Sequence, residues 1–118
     1  MLRIAAISVF ILLLFGNCHK EDPDHKISYG VKETSMDSPT FSISYTSDKS
    51  GATTIGSSSS ASWESGTIEL KREQFISLKV DCNAPLFDFV LSVYVDGHLW
   101  DRKEMHNPTS SMTISGKP

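Results

Sequence analysis

The sequence predicts an all-β protein, a single antiparallel β-sandwich of seven or eight strands that follows a cleavable leader. Two observations predict the fold. From Lys26 onward apolar and polar residues alternate with a period of two rather than with the 3.6-residue period of a helix. Turn-forming residues interrupt this alternation at short intervals. The chain has 118 residues, which leaves room for one modest domain.

The first seventeen residues have the layout of a secretory signal peptide. Arg3 supplies a positive charge, and the apolar run at residues 4–15 is interrupted by Ser8 alone. A retained transmembrane helix is the alternative, but a span needs roughly 20 apolar residues. Because polar residues resume at Asn17, we expect residues 1–17 to be removed.

The junction after this leader resembles the lipobox of bacterial lipoproteins. Residues 14–18 read Leu-Phe-Gly-Asn-Cys, with a small residue at Gly16. In that family the cysteine thiol takes a diacylglycerol, a dedicated peptidase cuts before the cysteine, and the new amino group is often acylated by chains such as palmitate. The resemblance implies lipid attachment at Cys18. The lysine and acidic residues at 20–22 are similar to the tract that follows the lipidated cysteine in surface-exposed lipoproteins of the Bacteroidetes.

Lipidation would confine the protein to a membrane. Each buried methylene contributes about 0.8 kcal/mol, so one chain binds marginally and two or three bind stably. Residues 18–26 would then be the lipidated cysteine and an acidic tether, and residues 27–118 the sandwich domain. Eight tether residues extend at most about 26 Å. We therefore expect the domain to lie close to the outer membrane of the cell envelope, on its periplasmic or external side.

The charge of the mature chain argues against nucleic-acid binding. Removing residues 1–17 takes away Arg3 and moves the net charge from −3 to −4. A sequence-independent nucleic-acid binder needs a basic stripe that displaces phosphate counterions. Paired bases of the domain occur at residues 71–72 and 102–103, where solvated strand ends are the simpler interpretation.

The second cysteine, Cys82, is predicted to be a buried structural thiol. It follows Leu78 and Val80 on the apolar side of a period-two run. A disulfide between Cys18 and Cys82 is one alternative, and it would contradict the anchor. The other is a reactive thiol, which needs an exposed electropositive setting.

Alternation locates the strands. In the second strand Phe41, Ile43 and Tyr45 alternate with serine and threonine, so one face meets the core and the other meets water. The serine run at 57–60 is expected to be a loop between strands. The predicted strands are residues 27–33, 41–47, 53–57, 67–72, 75–81, 89–95, 98–104 and 112–115.

Asp96-Gly97 predicts a two-residue type I′ hairpin turn. The turn sets the register, with the pairs Val95–His98, Tyr94–Leu99, Val93–Trp100 and Leu91–Arg102. Trp100 is then expected on the core face, while Tyr94 and Leu99 lie on the opposite face.

The order of these strands carries a second resemblance. Residues 41–46, a serine-rich loop, Trp63, residues 67–78 and the hairpin at 93–100 are similar to a group of small Bacteroidetes lipoproteins of uncharacterised function. A more distant similarity is to the mycobacterial small membrane protein (MmpS) family, whose soluble part is a β-sandwich. The resemblance covers most of residues 27–116 and implies an Ig-like sandwich. The mycobacterial family assists lipid and siderophore export through a retained membrane helix, whereas this chain has a cleavable leader.

No catalytic or metal-binding pattern is recognisable, so we expect no catalytic residues, no metal and no cofactor. Asp81 and Asp88 flank a turn and could approach each other for acid–base work or calcium binding, but a solubilising rim is the simpler interpretation. In the apolar stretch 85–87, Phe87 is expected to continue the core face and leave Leu86 outside. The alternative is an exposed docking tip. The histidines lack metal-ligand spacing: His19, His25, His98 and His106.

These observations favour a lipid-anchored, non-catalytic binding or accessory module of unknown ligand. The alternative is an accessory subunit of an envelope transport or assembly complex, which would have a protein partner. A small hydrolase is a third hypothesis, and it needs a cluster of polar residues in one pocket. The expected partners are the membrane, through the anchor, and a protein of the envelope, but not nucleic acid.

Overall fold

The computed structural model describes residues 23–35 and 39–118. These residues form eight strands in two four-stranded antiparallel sheets, which confirms the predicted all-β sandwich. The first sheet has the order β4-β1-β6-β7 and the second the order β3-β2-β5-β8. The strands are β1 His25–Glu33, β2 Phe41–Thr46, β3 Thr53–Ser58, β4 Ser62–Leu70, β5 Ile76–Asp81, β6 Asp88–Val95, β7 His98–His106 and β8 Ser111–Gly116.

The core lies between the two sheets, because each central strand turns alternate residues inward. Aromatic rings join the layers: Phe41 of the second sheet meets Phe89 of the first with ring centroids 4.7 Å apart. Tyr29 and Tyr45 make a similar contact at 5.3 Å. Each fully buried apolar side chain contributes about 1.5–3 kcal/mol, so this layer holds the sheets together.

All eight predicted strands are present, with two informative differences in their bounds. β1 begins two residues earlier than predicted, so His25 and Lys26 belong to the strand and not to the tether. β4 begins at Ser62 rather than at residue 67. A bulge near Gly66 interrupts the alternation of β4, which is why the pattern revealed only its second half.

The hairpin turn is confirmed, since Asp96 and Gly97 both have positive φ, at 52° and 83°. The first two predicted pairs are also correct. The predicted pairs of Val93 with Trp100 and of Leu91 with Arg102 are wrong, because a bulge inserts Trp100 as an extra residue. The actual pairs are Val93–Asp101, Ser92–Arg102 and Leu91–Lys103.

Trp100 nevertheless reaches the inner side, because both residues of such a bulge can point the same way. Its ring is partly buried against the core and covers Gly116 at the end of β8. The bulge therefore turns a predicted central core residue into a side chain that closes the edge between the sheets.

The predictions for Cys82 and for residues 85–87 are confirmed. Cys82 is a free, buried thiol whose Sγ lies 3.7 Å from the carbonyl oxygen of Thr40. Phe87 is buried beside Phe89, while Leu86 is 62% exposed.

Candidate ligand-binding groove

A groove runs across the outer face of the first sheet, where side chains from all four strands surround it. It encloses about 590 Å³, which lies within the range of roughly 300–1,000 Å³ typical of small-ligand sites. We call it the first-sheet groove. The residues that shape it are Gly30, Lys32, Glu64, Ser92, Tyr94, Leu99 and Arg102.

The floor of the groove is Gly30. Its neighbours in β1, Tyr29 and Val31, are buried, so position 30 faces outward. In the register Gly30 lies between Glu64 of β4 and Ser92 of β6. The missing side chain in this central strand leaves the depression that the flanking side chains surround.

Neither conformation nor packing requires glycine at this position. Gly30 does not have a positive φ, so its backbone conformation does not require glycine. A Cβ built on Gly30 would meet nothing closer than the carbonyl oxygen of Trp63 at 4.0 Å, which is an ordinary contact. Glycine within a strand costs roughly 0.5–1 kcal/mol relative to alanine. Position 30 therefore carries a cost in stability without a structural need.

A bulge in β4 borders the floor. The pairing of β1 with β4 shifts between Ser28 and Gly30, and Gly66 has φ of 75°. The hydroxyl of Ser65 accepts a hydrogen bond from the backbone N–H of Tyr29 at 3.0 Å, which holds the bulge in place. Because bulges increase the local twist of a sheet, this one helps to curve the outer face around the groove.

One end of the groove is apolar. Tyr94 and Leu99 face each other across β6 and β7, and they are 41% and 52% exposed. The sequence correctly placed both of them on the outer face. Two neighbouring apolar side chains at a concavity provide the kind of surface against which ligands pack.

A chain of charged side chains follows the outer face along β7. Nη2 of Arg102 donates to the Glu104 carboxylate at 3.0 Å, and His106 binds Asp88 through Nδ1. Hydrogen bonding to Asp88 raises the pKa of the His106 imidazole, and Glu104 adds to the effect. The hydrogen bond from Arg102, with a smaller one from His106, lowers the pKa of Glu104. The guanidinium of Arg102 is thus positioned at the rim of the groove.

Two other charged side chains at the groove, Lys32 and Glu64, do not belong to this series of ion pairs along β7. Within residues 23–35 and 39–118, neither Lys32 nor Glu64 forms an ion pair within 4.0 Å. They lie on neighbouring strands, with Gly30 beside both of them. The groove therefore offers one cation and one anion that remain available to a ligand.

A buried carboxylate lies beyond the groove, at the end of β1. Glu33 is on the core side, and its Oε1 accepts a hydrogen bond from the backbone N–H of Ser35 at 2.5 Å. Its Oε2 has no hydrogen-bond partner among the described residues. Alternation alone predicts the inward position of Glu33, but no motif in the sequence distinguishes it from the other acidic residues.

The residues weighed as sites in the sequence are spread over the molecule. Cys18, His19 and the leader at residues 1–17 lie outside the described residues. His25 Nδ1 lies 2.7 Å from the carboxylate of Asp96, and His98 is exposed after the turn. Asp81 ends β5 in the second sheet, whereas Asp88 begins β6 in the first sheet and binds His106.

Two kinds of feature are absent from the described part of the chain. No three side chains of metal-ligating type come together there. In the same residues, no helix has the length and apolar character that crossing a membrane requires.

Sequence reasoning missed the groove itself. The available signal was Gly30, because glycine in the interior of a strand often marks a bulge or a place where another molecule approaches. Lys32, Glu64 and Ser92 look like ordinary outward-facing residues in the sequence, and only the sheet order brings them together. Comparison with known protein families and with curated proteins found no match to this chain.

Proposed function

We propose that this protein is a lipid-anchored, non-catalytic binding module of the cell envelope that takes its ligand in the first-sheet groove. The anchor is proposed from the lipobox resemblance that ends at Cys18, with the outer membrane as the site of attachment. The binding role is proposed from the geometry of the outer face of the first sheet. The domain would hold its ligand while the acyl chains hold the domain on the membrane.

The observation that carries the proposal is the glycine at position 30. A residue with a Cβ would fit there without a clash and would make a better strand. Residues that lower stability without a structural role are expected at functional sites. At position 30 the absent side chain leaves a space in which a ligand can approach the backbone.

The chemistry of the groove indicates an amphipathic ligand. Tyr94 and Leu99 can cover an apolar face, while Lys32 and Glu64 can donate to and accept from polar groups at the other side. Arg102 already forms an ion pair with Glu104. It can therefore help to orient a ligand, but it does not offer an unpaired charge. A ligand that presents both an apolar face and hydrogen-bonding groups of both kinds would satisfy these residues together.

Photocrosslinking in cells tests the binding role while the ligand is still unidentified. A benzophenone amino acid replaces Ser92 in the groove, and a matched variant carries it at Ser42, a serine in a central strand on the outer face of the second sheet. After illumination, mass spectrometry should find a defined adduct at position 92 and none at position 42. Equal adducts at both positions, or none at position 92, would contradict the proposal.

A second variant, Gly30→Val, separates binding from folding. Valine fills the floor of the groove and favours the strand, so we expect stability to rise by about 0.5–1 kcal/mol. The adduct at position 92 should disappear in the same protein. If the adduct persists unchanged, the groove is not the binding site. A stoichiometric envelope protein as the adduct would favour the accessory-subunit alternative.

The anchor has its own test. Intact mass of the mature protein isolated from membranes should correspond to a chain that begins at Cys18 and carries acyl groups. A mature chain that begins elsewhere, or that has no acyl mass, would refute the membrane part of the proposal and leave the groove to be judged separately.

A further inference from the structure

We infer that one end of the sandwich, the end from which the chain leads to Cys18, lies against the bilayer and inserts Phe75 into the lipid interface. This inference rests on the proposed lipidation. We call this end the tether end. It consists of the start of β1, the neighbouring turns and the C-terminus, at residues 23–26, 47–52, 71–75, 96–98 and 116–118.

The length of the chain outside the described residues limits where the membrane can be. Four residues lie between Cys18 and Pro23, and the five steps along an extended chain cover at most about 18 Å. Acyl chains on Cys18 would lie in the bilayer, with the cysteine backbone at its surface. The tether end therefore cannot move far from the headgroups, whereas the opposite end can.

Contacts fix the point at which the chain leaves the domain. The carbonyl oxygen of Pro23 accepts a hydrogen bond from Nε of Arg72 at 3.2 Å, and Asp24 forms an ion pair with Lys49. His25 then binds Asp96 of the hairpin turn. Three different turns thus hold the exit of the tether. The effective tether is shorter than the sequence suggests, and the same turns must face the lipid.

The β4–β5 turn presents an aromatic ring at this end. Phe75 is 58% exposed although it directly precedes the core residue Ile76. The turn is held by hydrogen bonds between Lys71 and Gln74, and by a bond from Gln74 Nε2 to the carbonyl oxygen of Asp48 at 2.8 Å. An exposed ring on a held turn is suited to the bilayer interface, where apolar groups leave water while neighbouring polar groups stay solvated.

The distribution of charge favours the same end. The tether end has five basic and four acidic side chains, whereas the remaining described residues have four basic and seven acidic ones. Lys71 and Arg72 directly precede the turn that presents Phe75. Basic side chains near an anionic leaflet contribute about 1 kcal/mol each, and their aliphatic stems can cover apolar surface. The tether end is therefore repelled least by a phospholipid surface.

This orientation determines how the groove would be reached. The strands would rise from the membrane, and the outer face of the first sheet would stand roughly upright. The first-sheet groove would then open sideways into the envelope space rather than toward the lipid. Ligands in solution or on neighbouring proteins could enter it without displacing the domain from the bilayer.

Depth-dependent quenching tests the inference on the full-length lipidated protein. Phe75→Trp and the matched Leu86→Trp, an exposed apolar position at the opposite end of β5, are each reconstituted in phosphatidylethanolamine and phosphatidylglycerol vesicles. The acyl chains are either brominated or unbrominated. The native Trp63 and Trp100 give the same background in both variants. Urea midpoints equal to that of the unmodified protein would show that both variants fold.

We expect brominated chains to reduce the emission of Phe75→Trp beyond the background, together with a blue shift, and to leave Leu86→Trp at the background. Equal quenching of both variants, no added quenching of Phe75→Trp, or stronger quenching of Leu86→Trp would overturn the inference. Intact mass of the same samples separates the two proposals. Missing acyl groups would refute the anchor and the inference together, whereas acylated protein without quenching at position 75 would refute the inference alone.

Discussion

Replacing Tyr29 with phenylalanine should destabilise the fold by removing one buried hydrogen bond that joins the two sheets. The phenol of Tyr29 in β1 donates to the carbonyl oxygen of Thr46 in β2 at 2.9 Å, and the side chain of Tyr29 is fully buried. Tyr29→Phe keeps the ring and its contact with Tyr45. The perturbation is therefore confined to the hydroxyl group and the carbonyl that it leaves without this partner.

The expected loss is about 1–2 kcal/mol, because a buried acceptor that loses its donor costs roughly 1–3 kcal/mol and a net hydrogen bond contributes about 1 kcal/mol. Urea unfolding should show a lower midpoint with an unchanged slope, since the surface exposed on unfolding stays the same. A domain of this size should lose about 4–8 °C in Tm for each kcal/mol.

Tyr94→Phe is the matched control, because the hydroxyl of Tyr94 is on the exposed outer face and forms no hydrogen bond with the described residues. We expect its unfolding free energy to change by less than about 0.5 kcal/mol. If Tyr29→Phe falls within the same range as this control, the bond between Tyr29 and Thr46 does not stabilise the sandwich, and the reasoning is refuted.

The same variant has a pH dependence of known sign. Burial raises the pKa of Tyr29 well above its usual value, because the phenolate would lose its hydration in the core. Above about pH 10 the unfolded chain loses this proton while the folded chain keeps it, so stability falls by about 1.4 kcal/mol per pH unit from this group. Tyr29→Phe lacks this loss. The stability difference between the two proteins should shrink as pH rises from 9 to 11, and a constant difference would contradict the assignment.

Three further substitutions test other parts of the structure. Gly116→Ala should lower the free energy of unfolding in urea by about 1–3 kcal/mol, because φ at this position is 154° and the new Cβ would lie 3.0 Å from the Trp100 ring. An unchanged urea midpoint would contradict the packing of Trp100 against Gly116. The backbone N–H of Lys26, followed by His25, lowers the pKa of Asp96, so this stabilisation is present at neutral pH and lost as pH falls through the lowered pKa. Asp96→Asn should therefore be less stable at pH 7 and lose less between pH 7 and pH 3, as thermal unfolding would show. Ile55→Lys should change stability by less than about 0.5 kcal/mol, since Ile55 is 77% exposed on the edge strand β3. It should also lower concentration-dependent association in sedimentation, because a charge protects an uncharged edge.

The sequence predicts the fold well because alternation reports burial directly. Phe41 and Ile43 in β2, and Leu78 and Val80 in β5, appear in the sequence at the period that the sheet imposes. Asp-Gly fixes a turn through backbone conformation, which is a local property of residues 96–97. Both kinds of information are contained in a few neighbouring residues, so they can be read before the strand pairing is established.

The bulges are not predictable in the same way. Whether Trp100 pairs with Val93 or stands as an extra residue depends on how its ring fits against Gly116, a residue of the other sheet. The bulge at residues 65–66 depends on the hydrogen bond that Ser65 makes with β1. These are tertiary contacts, and they override the regular register that a turn alone would propagate.

The groove escaped sequence reasoning for the same reason. Its residues come from strands that are far apart in the chain and adjacent in the sheet, as Glu64 of β4 and Ser92 of β6 are on either side of Gly30. The alternation of each strand predicts that these positions face outward. The strand order, which brings the groove residues together, depends on tertiary contacts that the alternation does not contain.

The irregular features of the described residues point to a division of roles between the two sheets. Register shifts occur in the first sheet, between β1 and β4 and between β6 and β7, while the pairs of the second sheet are continuous. The glycine at position 30 belongs to the first sheet as well. Bulges interrupt the ladder of hydrogen bonds between strands, so their placement in one sheet argues that this sheet is shaped for a purpose other than folding. The regular second sheet then serves as the support that allows the first sheet to keep a concave, less stable outer surface.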